Sequence, residues 1–94
     1  MHICALVIEL HLPGCTSLKQ KRSRLKPLLN ALHREFNISA AEIEQHDIHR
    51  LSSIACVVVS NDGRHAQQLL SKIPSWIESH RPDMQIVDSS ITFR

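Results

Sequence analysis

Aromatic residues are scarce in this chain of 94 residues, which contains two Phe, one Trp and no Tyr. The two runs with the strongest strand character, residues 2–12 and 51–60, contain no aromatic residue at all. Sheet-based domains that read single-stranded RNA stack bases on aromatic side chains of their central strands. That mode of base recognition is therefore disfavoured, and we expect any bound RNA to be recognised by its shape and backbone. A Gly-x-x-Gly clamp of the KH type is also absent.

Cysteine is sparse as well, and its spacing is irregular. Cys4, Cys15 and Cys56 form no Cys-x-x-Cys pair, and the first and last of them lie in apolar runs where a free thiol behaves as a small hydrophobe. This usage favours a reducing compartment, so we expect a cytoplasmic protein. The first apolar run has no basic region ahead of it and carries Glu9 and His11, which makes it a strand rather than a signal peptide or a membrane span.

Neither repeats nor low-complexity segments nor linkers divide the chain, and we expect a single domain over residues 1–94. The apolar fraction of 43% and the charged fraction of 21% are ordinary, and the net charge of +2 indicates no particular partner. The basic residues are unevenly distributed, however. Five of the eleven Lys and Arg residues fall between Lys19 and Lys26.

The order of the apolar patterns predicts the fold. Strands are predicted at residues 2–12, 38–46, 51–60 and 84–93, and helices at 17–36 and 63–80. With right-handed crossovers, this β-α-β-β-α-β order gives an α+β ferredoxin-like fold, in which two helices cover one face of a four-stranded antiparallel sheet. The first and third strands are apolar on both sides and are therefore predicted to be central.

Several residues refine this prediction. Ser17 and Gln20 form a capping-box pair at the start of the first helix, and Asp62 is a good N-cap for the second. Pro27 and Pro74 interrupt the two helices, and a kink is predicted near residues 23–27. The alternation of the second strand slips between Ala40 and Ala41, which predicts an edge strand with a bulge.

The cations at the start of the first helix are the main candidate site. They lie where the helix dipole is already positive, and the only acid in that helix, Glu35, comes late. Lys19, Arg22, Lys26 and His33 fall on one stripe beside the leucine face, and Lys21 starts at the margin of that face, from which we expect it to reach solvent. The stripe is either an ordinary solvated face or a phosphate-binding surface. In the second case Lys19, Lys21, Arg22 and Lys26 are the predicted nucleic-acid-binding residues.

The remaining polar clusters are better explained by structure than by chemistry. His46, Asp47 and His49 fit no standard zinc spacing, and no arrangement brings them together with Cys56 as a catalytic group. The segment Ser60-Asn61-Asp62 is explained by a strand end followed by a helix cap. We therefore predict no enzyme activity, no cofactor, no metal and no small-molecule substrate.

Four segments of the chain resemble the YlxP-like family of small bacterial proteins. They are Pro13-Gly14 with Ser17-Leu18-Lys19-x-Lys21-Arg22-x-x-Leu25-Lys26, then Phe36-Asn37-Ile38-Ser39-Ala40-Ala41-Glu42, then Asp47-x-His49, and finally Ser60-Asn61-Asp62. The resemblance covers essentially the whole chain. It implies a bacterial cytoplasmic protein with a ferredoxin-like fold and no established biochemical activity.

The same resemblance implies a role with RNA or the ribosome, because such proteins are often encoded near translation and ribosome-maturation factors. One position departs from the family pattern. Arg50 stands where the family commonly has Gln, which replaces an amide with a guanidinium better suited to phosphate.

The face of the sheet that the helices leave uncovered is a second candidate surface. Either Ile3, Ala5 and Val7 with Ala55, Val57 and Val59, or the set containing Cys4, Leu6 and Ile8, occupies that face. Both sets are apolar, so either assignment favours a homodimer that covers the patch. We therefore predict a non-enzymatic accessory factor that binds ribosomal RNA or ribosomal particles through its basic first helix. The alternative is a protein-interaction module that uses the open sheet face.

Overall fold

The computed structural model describes residues 1–94 and has the predicted ferredoxin-like architecture. Its elements are β1 (His2–His11), α1 (Leu18–Phe36), β2 (Ser39–Glu44), β3 (Leu51–Ser60), α2 (Gly63–Ser71), α3 (Ile73–His80) and β4 (Gln85–Phe93). The four strands pair antiparallel in the order β2-β3-β1-β4. The predicted central position of the first and third strands is therefore confirmed, as is the edge position of the second.

The core lies on one side of the sheet. Cys4, Leu6, Ile8 and Leu10 of β1 alternate with less buried neighbours and are at most 2% exposed. They belong to one apolar cluster with buried leucines and isoleucines of the three helices. Each such side chain that leaves water contributes about 1.5–3 kcal/mol to folding.

The opposite side of the sheet carries the other residue set. Register places Ile3 opposite Val59, Ala5 opposite Val57, and Val7 opposite Ala55. These six residues are partly or largely exposed, whereas Cys4, Leu6 and Ile8 are buried against the helices. The structure thus resolves the alternative that the pattern left open, and the uncovered face is the one with Ala5, Val7 and Val57.

Both predicted helix starts are confirmed. The amide of Gln20 donates to Ser17 Oγ at 3.1 Å, and the side chain of Gln20 reaches back to accept from the amide of Thr16 at 2.9 Å. Asp62 Oδ1 accepts from the amides of Arg64 and His65 at 3.0 and 3.3 Å. These contacts satisfy amides that have no partner within the helix.

The predicted helix over residues 63–80 is two helices that meet at Lys72. Pro74 is the cause, because it has no amide with which to continue α2, whereas in the first turn of α3 a missing amide costs nothing. Pro27, by contrast, lies inside α1, which runs unbroken from Leu18 to Phe36. None of the three helices combines the length and the hydropathy needed to cross a membrane.

The second strand differs most from its prediction. It ends at Glu44 rather than at residue 46, and Gln45 has a left-handed backbone with φ of 67°. The register shift falls between Glu42 and Glu44, not between Ala40 and Ala41, so the predicted position of the bulge is wrong. Alanine is small enough for either face of a sheet, and both alanines stay in register with β3.

Candidate functional site

The exposed side of α1 carries the predicted stripe. Lys19, Arg22, Lys26 and His33 are all exposed, while Leu25, Leu28 and Leu32 on the other side of the helix are buried. The ring of His33 is fixed by a contact of 2.6 Å between Nδ1 and the carbonyl oxygen of Ile38. The helical period therefore separates cations from core as the sequence predicts.

Lys21 is not part of this exposed surface. It is 2% exposed, and its Nζ lies 2.7 Å from Glu42 Oε2, 2.5 Å from the carbonyl oxygen of Gln45 and 2.7 Å from that of Ile48. Ser52 Oγ donates to the same carboxylate oxygen at 2.7 Å. The prediction that Lys21 reaches solvent is wrong, because its ammonium group is fully used in fastening α1 to the end of β2 and the turn that follows.

Arg24 is also neutralised, by a residue far away in sequence. Its Nε lies 3.2 Å from Asp83 Oδ2, and its two terminal nitrogens donate to the carbonyl oxygens of Pro13 and Asp83. Although α1 itself has no acid near its five early cations, two of the five are therefore neutralised by acids from elsewhere in the chain. The acids come from β2 and from the turn before β4, not from α1 itself.

Two of the remaining cations, Arg22 and Lys26, line a groove between α1 and the end of α3. The lining residues are Arg22, Ser23, Lys26, Pro27, Asn30, Arg34 and Arg81, around a volume of about 650 Å³. Four of the seven are cationic and none is acidic. Neither of the two ion pairs in the structure involves any of these four cations.

Two of these cations were missed at the level of sequence. Arg34 continues the four-residue spacing of Arg22, Lys26 and Asn30, so the i, i+4 rule was sufficient to find it. Arg81 carried no local signal, because it joins the groove only through the packing of α3 beside α1. Its Nε is buried and has no hydrogen-bond partner.

A second groove lies on the other flank of Arg22 and Lys26, where α1 meets β2. Leu25, Leu29, Ala40 and Ala41 make half of its lining apolar. Its only acid is Glu42, whose carboxylate is already occupied by Lys21 and Ser52. Arg22 and Lys26 line both grooves, but only the first adds two further unpaired cations, Arg34 and Arg81, and we call it the basic groove.

The structure places Cys56 and His46 in different surroundings. Cys56 is fully buried in the core, and desolvation raises the pKa of its thiol to about 12, so it stays protonated. His46 is exposed, and its Nε2 lies 3.3 Å from the carbonyl oxygen of Glu42. The structure contains no group of three His, Cys, Asp or Glu side chains arranged to hold a metal.

The segment from Ser60 to Asp62 serves the helix start, as predicted. Ser60 Oγ accepts from the amide of Asp62 at 3.0 Å, and Asp62 caps α2. Arg50 is exposed, and its backbone carbonyl accepts from the amide of Leu12 at 2.8 Å.

The geometry defines a class of protein: a ferredoxin-like domain with a basic groove on the helical side of its sheet. Solved structures share the fold. They include a de novo designed protein with ferredoxin fold, LFR1 1, at a TM-score of 0.60 and 13% identity over 100% of this chain and 84% of that chain. A VAO-type flavoprotein from Myceliophthora thermophila C1, MtVAO713, matches at a TM-score of 0.59 and 8% identity over 99% of this chain and 18% of that one. At these identities the likeness shows the fold alone.

Sequence comparison shows the family. Residues 3–91 match the family described as "Protein of unknown function (DUF503)", and the chain belongs to it. The chain is 32% identical over 63 residues to the uncharacterized protein YlxP of Bacillus subtilis (strain 168), a match that covers 67% of this chain and 68% of that protein. The resemblance to the YlxP-like family is therefore confirmed.

Proposed function

We propose that this protein is a non-enzymatic cytoplasmic factor that binds ribosomal RNA or ribosomal particles through the basic groove. The observation that carries the proposal is the convergence of Arg22, Lys26, Arg34 and Arg81 on one groove that no carboxylate lines. Arginine and lysine side chains are the usual partners of nucleic-acid phosphates, and such contacts position a protein on its target. The ribosomal part of the proposal rests on the family resemblance. Three free, buried thiols suit the reducing cytoplasm.

The residues proposed to contact RNA differ from those predicted from the sequence. Arg22 and Lys26 remain in the proposed set. Lys19 lies on the exposed side of α1 about one helical turn before Arg22, and it is outside the basic groove. Lys21 is removed from the set, because its charge is already paired inside the protein. Arg34 and Arg81 are added.

Co-sedimentation with ribosomal subunits across a salt series tests the proposal. Neutralising four phosphates should give a log–log salt slope of about 3, at roughly 0.7–0.9 per phosphate. Reversing three groove charges (Arg22→Glu, Lys26→Glu, Arg34→Glu) should abolish binding.

A control variant reverses three exposed charges elsewhere (Arg64→Glu, Lys72→Glu, Arg94→Glu), with the same change in net charge. This control variant should still co-sediment with ribosomal subunits, with most of the affinity of the natural protein. Equal loss in both variants would show that only net charge matters and would contradict the basic groove as the site. No binding by the natural protein at low salt would reject the proposal entirely.

The open sheet face supports a second candidate function, a protein-interaction module that pairs with a second copy of itself. Ala5, Val7, Ala55 and Val57 lie together at the centre of that face, and no helix covers them. Sedimentation equilibrium tests this candidate. A dimer that hardly responds to salt and dissociates on Val57→Asp supports it, whereas a monomer at high protein concentration rejects it.

A further inference from the structure

An aromatic pair stands at the end of α3. The rings of Trp76 and His80 are stacked, with centroids 4.3 Å apart and planes 12° from parallel. Phe36 of α1 meets Trp76 edge-on at 5.8 Å and 81°. His80 is held in this position by contacts of Nδ1 with the carbonyl oxygen of Trp76 at 2.9 Å and with Ser79 Oγ at 3.2 Å.

This pair presents a flat, fixed surface to solvent. Trp76 is half-buried and covers one face of the imidazole, while His80 as a whole is exposed. The second face of His80 is therefore available. A planar group that stacks there would extend an existing stack of two rings without ordering a mobile side chain.

The stacking surface and the basic groove meet at the C-terminal end of α3, although His80 itself does not line the groove. Arg81 follows His80 directly and lines the groove with Arg34. The Nε donor of Arg81 has no partner in the protein, although the atom is buried. The terminal nitrogens of the same guanidinium have no hydrogen bond within the protein and are not buried, so they are the donors that a phosphate oxygen in the groove would meet.

We infer that an unpaired nucleotide of an RNA strand binds at the Arg81 end of the basic groove, with its phosphate bound in the groove by Arg81 and Arg34 and its base stacked outside the groove on His80. The inference rests on the proposed function, because it names the part of the RNA that the same groove binds. It places the stacking surface on the helical layer, whereas the sheet has no aromatic residue on its central strands. Stacking of this kind tolerates any base, so the site selects unpaired strands rather than a sequence.

Trp76 is the only tryptophan of the chain, so its fluorescence reports on this site alone. The full chain is titrated at low salt with single-stranded oligoadenylate, with the same strand annealed to oligouridylate, and with adenosine monophosphate. Affinity is followed independently by the anisotropy of end-labelled RNA. We expect the single strand to change the emission of Trp76 and to bind at least tenfold tighter than the duplex or the mononucleotide.

Three variants separate stacking from charge. His80→Ala should weaken binding of the single strand about tenfold, while His80→Phe should retain it because a planar ring remains. Arg81→Gln should lower the salt slope by about 0.7, the share of one phosphate contact. The control His65→Ala removes another exposed histidine, which lies on α2 outside the groove, and should leave binding unchanged.

The outcomes distinguish this inference from the proposed function. If single strand and duplex bind equally, with no change in Trp76 emission and no effect of His80→Ala, then the nucleotide site is wrong while RNA binding stands. If the mononucleotide binds as tightly as the strand, the ligand is a free nucleotide and the assignment to RNA is overturned. If anisotropy detects no RNA binding at all, both fail.

Discussion

Lys21 and Arg22 are neighbours in sequence and opposites in the structure. A rotation of about 100° around the axis of α1 separates their side chains. Lys21 is buried and makes three contacts of 2.5–2.7 Å with acceptors of β2 and the turn after it, whereas Arg22 is exposed and forms no ion pair. An ammonium group has three donors, so Lys21 has no capacity left for a ligand. A run of like charges is therefore not a functional unit, because the helix divides it between structure and surface.

Of the two lysine and arginine neighbours, the buried one, Lys21, should have the largest effect on the free energy of unfolding when its charge is removed. Lys21→Met would leave the carboxylate of Glu42, whose side chain is 18% exposed, without its counter-ion. Breaking one side of a buried pair destabilises by about 3–5 kcal/mol, and we expect the free energy of unfolding to fall by about 3 kcal/mol. Urea unfolding measures it. Arg22→Met is the matched control on the adjacent residue and should cost less than about 0.5 kcal/mol.

The double variant Lys21→Met with Glu42→Leu sharpens the same test. If the loss comes from an uncompensated charge, replacing both partners by apolar groups should recover part of the stability. Equal losses in Lys21→Met and Arg22→Met would show that the burial of Lys21 is not energetically significant.

Replacing Arg24 should lower the free energy of unfolding by an amount between those expected for Lys21 and Arg22. Its side chain is 20% exposed and its partner Asp83 is 51% exposed, so solvent screens much of the pair. We expect Arg24→Met to lower the free energy of unfolding by about 1 kcal/mol, mostly through the lost hydrogen bonds to the backbone of Pro13 and Asp83. Most of this loss should persist in high salt, where only the ion pair is screened. A loss that disappears entirely in salt would assign the contribution to the charges instead.

A change at Lys19 should have the smallest effect on the free energy of unfolding, and it should stabilise the protein rather than destabilise it. Lys19 is exposed in the first turn of α1, where a cation opposes the helix dipole and the first turn contains no acid. Lys19→Glu should therefore raise the free energy of unfolding by about 0.5 kcal/mol at low salt. Thermal unfolding at low and high salt measures it, with Arg94→Glu as the control that makes the same change of charge outside every helix. A destabilised Lys19→Glu protein would mean that Lys19 has a structural partner.

The fold was predictable because each of its signals is local. Alternation in β1 and the β-branched run of β3 define the central strands, and Ser17 and Asp62 mark the helix starts. The break at Lys72 was also present in the sequence, as Pro74. What the sequence left open was the uncovered face, since both sides of β1 and β3 are apolar and only helix packing distinguishes them.

The site was less predictable because its decisive contacts join distant residues. Lys21 meets Glu42 across 21 positions and Arg24 meets Asp83 across 59, and neither acid lies in the same element as its cation. The bulge follows directly after the first of these acids. Ile43 has no partner on β3, and it is 44% exposed.

The burial of all three cysteines gives the chain a practical property. Cys4, Cys15 and Cys56 are each at most 1% exposed, so the native protein offers no thiol to a labelling reagent. A cysteine introduced at Asn30, in the wall of the basic groove, would then be the sole reactive thiol. A dye attached there would accept energy from Trp76, whose ring stands at the end of the neighbouring helix. The protein thus already contains the donor for an energy-transfer measurement of distance, and a single substitution provides the attachment site for the acceptor.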